Sequence, residues 1–149
     1  MRAVVQRVKQ ARVTISGEVV GAIGPGLLVL IGFTDTDGDE EIAWMARKIA
    51  GLRVFADEQK KMNLSVNQIG GQVLVVPNFT LYGDVTKGRR PSFTEAASPE
   101  QAQDAFARFI QRLKTEGLDV QTGQFGQYMQ VALVNDGPVT LIVDTEHLL

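Results

Sequence analysis

Residues 73–84 read V-L-V-V-P-N-F-T-L-Y-G-D, and this stretch decides how the rest of the chain is interpreted. The four apolar residues 73–76 predict a short buried strand that ends at Pro77. The polar residues Asn78 and Thr80 follow, next to the aromatic residues Phe79 and Tyr82. The end of a buried strand is a common place for polar groups and free backbone N–H donors to line a pocket. The alternative is a bend in which the Thr80 hydroxyl caps a turn.

The length and composition limit the class of protein. With 149 residues, we expect a single domain, residues 1–149, that is long enough to form a core. No apolar run approaches the length of a membrane span, and the first residues lack the pattern of a signal peptide, so we expect a cytoplasmic protein with no membrane partner. The absence of cysteine excludes thiolate nucleophiles and cysteine-bound zinc. A net charge of −2 argues against binding nucleic acid through bulk charge, but it leaves room for a local basic patch.

Two helices and several strand pairs are predicted around the first stretch. Ser16-Gly17 is typical of a hairpin turn, and we interpret Gly70-Gly71 as a second hairpin that joins residues 63–69 to residues 72–76. Apolar residues at helical spacing predict a helix after Asp39. Ser98-Pro99-Glu100-Gln101 is a strong start signal for the second helix, because it combines a serine cap, a proline in the first turn and a glutamine that closes a capping box.

The last third of the chain alternates between apolar and polar residues, as strands do. We interpret Asn135-Asp136-Gly137-Pro138 as a hairpin turn between two strands, and the Gly137-Pro138 bond is one that can be cis. His147 is the only histidine. It lies close to the terminus, where side chains are seldom held firmly, so we do not expect it to serve in a Ser-His-Asp triad.

Residues 86–93, T-K-G-R-R-P-S-F, form a basic stretch. Lys87, Arg89 and Arg90 lie within four positions, next to Ser92 and Phe93. Such a group can hold a phosphate and stack a base. A solvated basic loop without a ligand is the alternative.

Taken together, these motifs resemble the D-aminoacyl-tRNA deacylases from one end of the chain to the other. The motifs that carry the resemblance, in order, are R-A-V-V-Q-R-V, K-M-N-L-S-V, V-V-P-N-F-T-L-Y-G-D, K-G-R-R-P-S-F and N-D-G-P-V-T. The resemblance implies an α/β (α+β) fold with an antiparallel β-barrel-like core, two packed helices and a homodimer. It also implies a proofreading hydrolase of translation quality control that acts in trans and needs no metal or cofactor. The substrate is the ester at the 3′ end of a tRNA that carries a D-amino acid or a mischarged glycine.

The same resemblance implies roles for particular residues. Thr80 has the position of a threonine once proposed as the nucleophile and later interpreted as a pocket residue. Gly137-Pro138 matches a Gly-cisPro element that enters the pocket of the partner subunit and excludes L side chains. The positions that match the substrate pocket are Phe79, Phe125 and Met129. The loop that contains Lys87, Arg89 and Arg90 is expected near the tRNA end.

One departure concerns residues 77 and 78, where the family usually has Ser-Gln and this chain has Pro77-Asn78. Proline lacks a hydroxyl and an N–H, and asparagine is one methylene shorter than glutamine. Asn78 is therefore a substrate-binding candidate whose reach differs from that of the usual glutamine.

The mechanism we expect follows from the lack of a strong nucleophile. An aminoacyl ester is already activated, so the backbone N–H groups of Phe79 and Thr80 are candidates for an oxyanion hole, with the neighbouring ribose hydroxyl of the substrate as base. Two other functions remain open from the sequence. One is an RNA-end-binding module without catalysis, and the other is an unrelated hydrolase of small esters that uses Thr80 or a serine.

Overall fold

A computed structural model describes the backbone of residues 1–148 and the side chains of residues 1–146. The described chain contains eight strands, two α-helices and two 3₁₀ turns. The strands are β1 (Arg2–Ile15), β2 (Glu18–Ile23), β3 (Gly26–Gly32), β4 (Phe55–Ala56), β5 (Met62–Leu64), β6 (Gln72–Pro77), β7 (Val120–Thr122) and β8 (Gln130–Asp144). The helices are α1 (Asp39–Gly51) and α2 (Pro99–Thr115), and the 3₁₀ turns are Phe79–Tyr82 and Thr145–Leu148.

Strand β1 lies at the centre of the main sheet and is long enough to have three partners. Its first half pairs with β3 and its second half with β2, while β8 pairs along its other edge. All three pairings are antiparallel. The Ser16-Gly17 hairpin between β1 and β2 is confirmed, with both residues at positive φ as this tight turn requires.

Strand β6 joins the sheet in a different way from the one predicted. It runs parallel to β3, with Leu27 opposite Val73, and parallel to β7 on its other side. The interpretation of Gly70-Gly71 as a hairpin is therefore wrong, since residues 62–64 pair with β4 instead. Helix α1 lies between β3 and β6 in the chain and supplies the crossover that a parallel pair needs. The barrel-like core with two helices is confirmed, but the sheet is mixed rather than wholly antiparallel.

The two faces of the sheet carry separate cores. One face packs against both helices and includes Met45 of α1 and Phe109 of α2. The other face is the concave side of the sheet, which curls toward a barrel, and it has a smaller core that includes Val13, Leu28 and Val76. The curl nearly closes, because Gly21 of β2 approaches β7 so closely that a Cβ would lie 2.7 Å from the Thr122 carbonyl oxygen.

Both helices begin as the sequence predicts. Ser98 Oγ accepts a hydrogen bond of 3.3 Å from the Gln101 N–H, and Gln101 Oε1 accepts one of 3.4 Å from the Ser98 N–H. This is the reciprocal capping box. None of the described helices is long and apolar enough to cross a membrane.

The predicted hairpin at residues 135–138 is wrong. Strand β8 is continuous through this segment and pairs with β1 on both sides of it, with Asn135 opposite Val8 and Thr140 opposite Gln6. Four residues of β8 therefore face one residue of β1, which is a large bulge. The bulge forms because β1 is long enough to pair with both halves of β8, so the chain does not need to reverse. The Gly137-Pro138 peptide bond within it is cis.

The start of the β3–β6 pair provides a test of the fold. A Cβ at Gly26 would lie 1.8 Å from the carbonyl oxygen of Gln72, so Gly26→Ala forces the two strands apart. We expect this change to lower the free energy of unfolding by about 3 kcal/mol or more. Urea unfolding at a fixed protein concentration measures the loss.

Gly24→Ala is the matched control, because nothing lies within 4 Å of a Cβ at that position. We expect it to change the free energy of unfolding by less than about 0.5 kcal/mol. Equal stability of the two variants would contradict the close approach of β3 and β6.

Candidate active site

A cavity of about 1010 Å³ opens at the end of β6, on the inner side of the curled sheet. Its walls come from β1, β3, β6, β8, the 3₁₀ turn after β6, the start of α2 with the segment before it, and the loop between β7 and β8. Five of the residues that the sequence assigned to catalysis or substrate binding line this cavity, and they are Asn78, Phe79, Thr80, Phe125 and Met129. Residues from two distant parts of the chain, 78–80 and 125–129, thus meet around one space.

The segment after Pro77 forms one 3₁₀ turn with Asn78 as its cap. The Asn78 N–H donates to the Ile31 carbonyl oxygen at 2.7 Å, which anchors the turn to β3. The Asn78 side-chain oxygen accepts from the Thr80 N–H at 3.2 Å and also from the Thr80 hydroxyl. The predicted cap is thus present, but the capping side chain is that of Asn78, and the Thr80 hydroxyl is a donor to it.

The N–H groups of this turn differ in their availability. The Thr80 N–H is bonded to Asn78, whereas the Phe79 N–H makes no hydrogen bond within the described part of the chain. A free N–H is expected there, because the first N–H groups of a helical turn have no carbonyl partner within the turn. The Phe79 N–H is thus a free donor in a cavity-lining segment.

Pro77 fits at the end of β6 without loss of a ladder hydrogen bond. Val73 donates to Asp119 and Val75 accepts from Gly123, so the odd-numbered residues of β6 bond on the β7 side. The pairing with β7 ends at Val75, and residue 77 therefore has no strand on the side toward which an N–H would point. A proline is tolerated at such a position.

Arg2 holds the 3₁₀ turn from outside the cavity. Its Nη1 donates to the Leu81 carbonyl oxygen at 2.9 Å, its Nε donates to Asp144 Oδ2 at 2.7 Å, and its guanidinium carbon lies 4.8 Å from the centre of the Tyr82 ring. Partial burial opposes ionisation of Asp144, but hydrogen bonds from the Glu146 N–H and from Arg2 outweigh it and hold the pKa of Asp144 below its ordinary value. The ion pair is therefore intact at neutral pH and is lost only as the pH falls through that lowered pKa.

The cavity contains almost no ionisable groups. Among the described residues that line it there is no aspartate, glutamate, lysine, arginine or histidine, and Tyr128 is the one titratable side chain. The polar groups are the side chains of Gln6, Asn78, Thr80 and Gln127 and the backbone of the turn. The His147 side chain lies outside the described residues.

The loop between β7 and β8 contributes both packed and exposed residues to the cavity. Phe125 is half-buried and packs against Phe106 of α2, with ring centres 6.4 Å apart, while Met129 packs against the inner core. Tyr128, in the same loop, is exposed at the rim. Sequence reasoning missed both Tyr128, which lies in none of the motifs, and Gln6, which lies in the R-A-V-V-Q-R-V motif but was assigned no role there.

The three cations of the basic stretch lie outside the cavity. Lys87, Arg89 and Arg90 are exposed, and none of them lines the cavity. Their loop is closed at its base by a pair of backbone hydrogen bonds between Asp84 and Ser92, of 2.7 and 2.9 Å. The next residue, Phe93, packs edge-on against Phe79 with ring centres 5.1 Å apart, so the base of the loop is fastened to the cavity rim.

The Gly137-Pro138 bulge does not line the cavity of its own chain. Arg7 holds the bulge, with its Nε donating to the Asp136 carbonyl oxygen at 2.8 Å, and Val139 is buried in the core on the helix side. Gln6, the neighbour of Arg7 in β1, lines the cavity. Adjacent residues of a strand point to opposite faces, so the bulge and the cavity lie on opposite sides of β1.

The family model and the curated relatives indicate the same family. Residues 4–144 match the family model for D-Tyr-tRNA(Tyr) deacylase. A D-aminoacyl-tRNA deacylase of Symbiobacterium thermophilum is 57% identical over 146 residues, which cover 98% of this chain and 97% of that protein. A D-aminoacyl-tRNA deacylase of Thermotoga petrophila is 53% identical over 148 residues and 99% of both chains.

Two solved structures have the same fold. A c-Myc DNA unwinding element binding protein superposes with a TM-score of 0.90 at 43% identity and covers 97% of this chain and 98% of its own. A probable eukaryotic D-amino acid tRNA deacylase superposes with a TM-score of 0.80 over 95% of this chain and 97% of its own, and at 21% identity it supports the fold alone.

Proposed function

The chain belongs to the D-Tyr-tRNA(Tyr) deacylase family and hydrolyses the ester bond of D-aminoacyl-tRNA, and we propose that the reaction takes place in the uncharged cavity at the end of β6. The observation that carries this location is the meeting of Asn78, Phe79, Thr80, Phe125 and Met129 around one space. The apolar walls suit an amino acid side chain and a nucleoside, and the few polar groups suit their orientation.

The Phe79 N–H is the first donor to the oxyanion. Water adds to the ester carbonyl, and the carbonyl oxygen becomes negatively charged in the tetrahedral intermediate. A fixed backbone donor stabilises this charge, and one such donor contributes about 3–4 kcal/mol. The Thr80 N–H becomes a second donor if the substrate displaces the Asn78 side-chain oxygen that now accepts from it.

The Thr80 hydroxyl has a structural role in this mechanism. It donates to Asn78, and no described residue of the cavity lining is a base that could take its proton. The neighbouring hydroxyl of the substrate ribose then assists the attacking water, and the ribose oxygen of the broken ester leaves with a proton. This supports hydrolysis without a nucleophilic side chain.

Chiral selection comes from the Gly137-Pro138 bulge of a partner subunit. The bulge is exposed and lies on the face of β1 opposite to the cavity of its own chain, so a second chain is the better candidate to receive it. Carbonyl groups of the bulge hold the α-amino group and leave room only for hydrogen where an L side chain would point. Glycine is therefore also a substrate, because both of its substituents are hydrogen.

Strand β8 supplies a surface for the dimer. Its edge away from β1 has no strand partner in the described chain, and four large apolar residues along it are exposed, namely Leu133, Val134, Leu141 and Ile142. An unpaired apolar edge strand favours association with another chain. A two-fold contact along β8 would carry both bulges across the interface.

The loop formed by the basic stretch, residues 86–93, is the basic loop, and it contacts the acceptor end of the tRNA. Lys87, Arg89 and Arg90 are free of salt bridges within the described chain, and Phe93 links their loop to the cavity rim. Exposed cations of this kind neutralise phosphates. Their removal is expected to weaken tRNA binding and to flatten its salt dependence.

A deacylation assay with tRNA charged with D- or L-tyrosine tests the function. We expect the D ester to be hydrolysed and the L ester to be spared. Binding of charged tRNA without turnover would favour the RNA-end-binding module instead. Equal turnover of simple amino acid esters would favour a general small-ester hydrolase.

Substitutions at Phe79 test the oxyanion donor. Phe79→Pro removes the N–H, and proline is compatible with the first position of the turn because Asn78 is already extended, with φ −147° and ψ 92°. We expect kcat to fall by about a hundredfold or more. Phe79→Ala keeps the N–H and loses the ring, so it is the matched control and acts mainly on KM.

Thr80→Ala tests the structural role of the hydroxyl. We expect it to lower kcat by less than about tenfold, and complete inactivation with an intact fold would overturn this mechanism.

Mixed dimers test the cross-subunit role of the bulge. A Cβ at Gly137 would lie 2.4 Å from the Val139 nitrogen, so Gly137→Ala changes the shape of the bulge, and we expect turnover to fall while the fold remains. A Gly137→Ala chain paired with a Phe79→Pro chain has one intact cavity facing one intact bulge. Differently tagged chains allow purification of the mixed dimer, which should recover about half of the wild-type rate. Mixed dimers without recovered activity would show that each bulge serves its own chain.

A further inference from the structure

Three aromatic side chains are exposed in the described chain, and all three line the mouth of the same cavity. Tyr128 is 99% exposed, Phe79 is 57% exposed and Phe93 is 36% exposed. The other aromatic side chains are buried or half-buried. A single exposed aromatic residue needs no explanation, but the collection of every exposed ring at one cavity indicates a binding surface.

Tyr128 differs from the other two rings in having no packing partner. Phe79 and Phe93 support each other, whereas no aromatic pair in the described chain includes Tyr128. Its loop is nevertheless held in place, because Phe125 packs against α2 and Met129 packs into the inner core on either side of it. Gly126, at φ +77°, allows the tight turn between these two anchors. A firmly held loop thus presents one free ring at the rim.

We propose that Tyr128 stacks on the unpaired base next to the terminal adenosine of the tRNA, an inference that rests on the proposed function. The cavity takes the amino acid and its adenosine, and the preceding nucleotide must leave across the rim. Proteins recognise single-stranded RNA by stacking its bases on exposed aromatic rings. Both faces of Tyr128 are open to such a contact.

The position of the cations near the rim supports a nucleic acid as the ligand of Tyr128. The net charge of the chain is −2, so bulk attraction to RNA is weak, and the exposed cations of the basic loop are joined to the same rim through Phe93. Cations bind the phosphates of a strand and a ring binds its bases. The two features together fit a strand that leaves the cavity.

The test compares two substrates that differ only in the strand beyond the adenosine. These are D-tyrosyl-tRNA and D-tyrosyl-adenosine. We expect Tyr128→Ala to lower kcat/KM for D-tyrosyl-tRNA by about tenfold, chiefly through KM, and to change the value for D-tyrosyl-adenosine by less than about twofold. Tyr128→Phe keeps the ring and is expected to retain the wild-type values on both substrates.

Binding of uncharged tRNA gives a second measurement that does not depend on catalysis. Tyr128→Ala should weaken this binding by about tenfold without changing its salt slope, since stacking releases no counterions. Replacement of Lys87, Arg89 and Arg90 by alanine should flatten the slope instead. If the wild-type protein binds tRNA through Tyr128 but does not hydrolyse the D ester, the proposed function fails and the stacking contact stands.

Several results would overturn the role of Tyr128. These are an equal loss on both substrates, an unchanged rate and affinity in Tyr128→Ala, and a weaker affinity in Tyr128→Phe. Sedimentation of Tyr128→Ala as a monomer, where the wild-type protein is a dimer, would instead place the ring in a contact between subunits.

Discussion

The parallel pairing of β6 with β3 depends on a backbone approach that only glycine permits. At Gly26 the two strands are so close that a Cβ would lie 1.8 Å from the Gln72 carbonyl oxygen. This contact sets the register that carries Pro77 to the end of the sheet beside Ile31. The 3₁₀ turn that follows is anchored there by the Asn78 N–H. The position of the Phe79 N–H is thus determined by the packing of two buried strands.

The absence of charge from the described cavity lining limits the chemistry that this site can perform. A side chain that acts as a base or a nucleophile needs a neighbouring group that shifts its pKa. The described lining contains no charged side chain and no histidine that could do so. Backbone donors do not have this requirement, because their orientation follows from the fold. An activated ester is a suitable substrate for such a site, since its hydrolysis mainly requires stabilisation of a developing oxyanion. The Asn78 side-chain oxygen accepts from the Thr80 N–H, so the proposed second donor is occupied in this structure.

The continuity of β8 places two features that lie close together in the sequence, the cavity wall and the Gly137-Pro138 bulge, on opposite faces of β1. One strand carries Val131 and Leu133 on the wall of the cavity and Gly137-Pro138 on the opposite face of β1. The bulge permits this arrangement, because it turns residues 136–139 away without ending the pairing with β1. The same strand also has an open apolar edge. The cavity wall, the proposed selective element and the proposed interface therefore share one strand, and a displacement of β8 would affect all three.

The sequence by itself determined the features that depend on neighbours in the chain. The Ser16-Gly17 turn, the capping box at Ser98 and the end of β6 at Pro77 arise from interactions over four residues or fewer, so local patterns predicted them. The order of the motifs also indicated the family. The tertiary structure decided the partner of each strand. Residues 72–77 pair with β3 although Gly70-Gly71 is a plausible hairpin turn, and residues 130–144 remain one strand although Asn-Asp-Gly-Pro resembles another. It also placed Tyr128 and Gln6 at the cavity. These outcomes depend on contacts between residues far apart in the chain, and a local pattern contains no information about which distant backbone is close enough to bond.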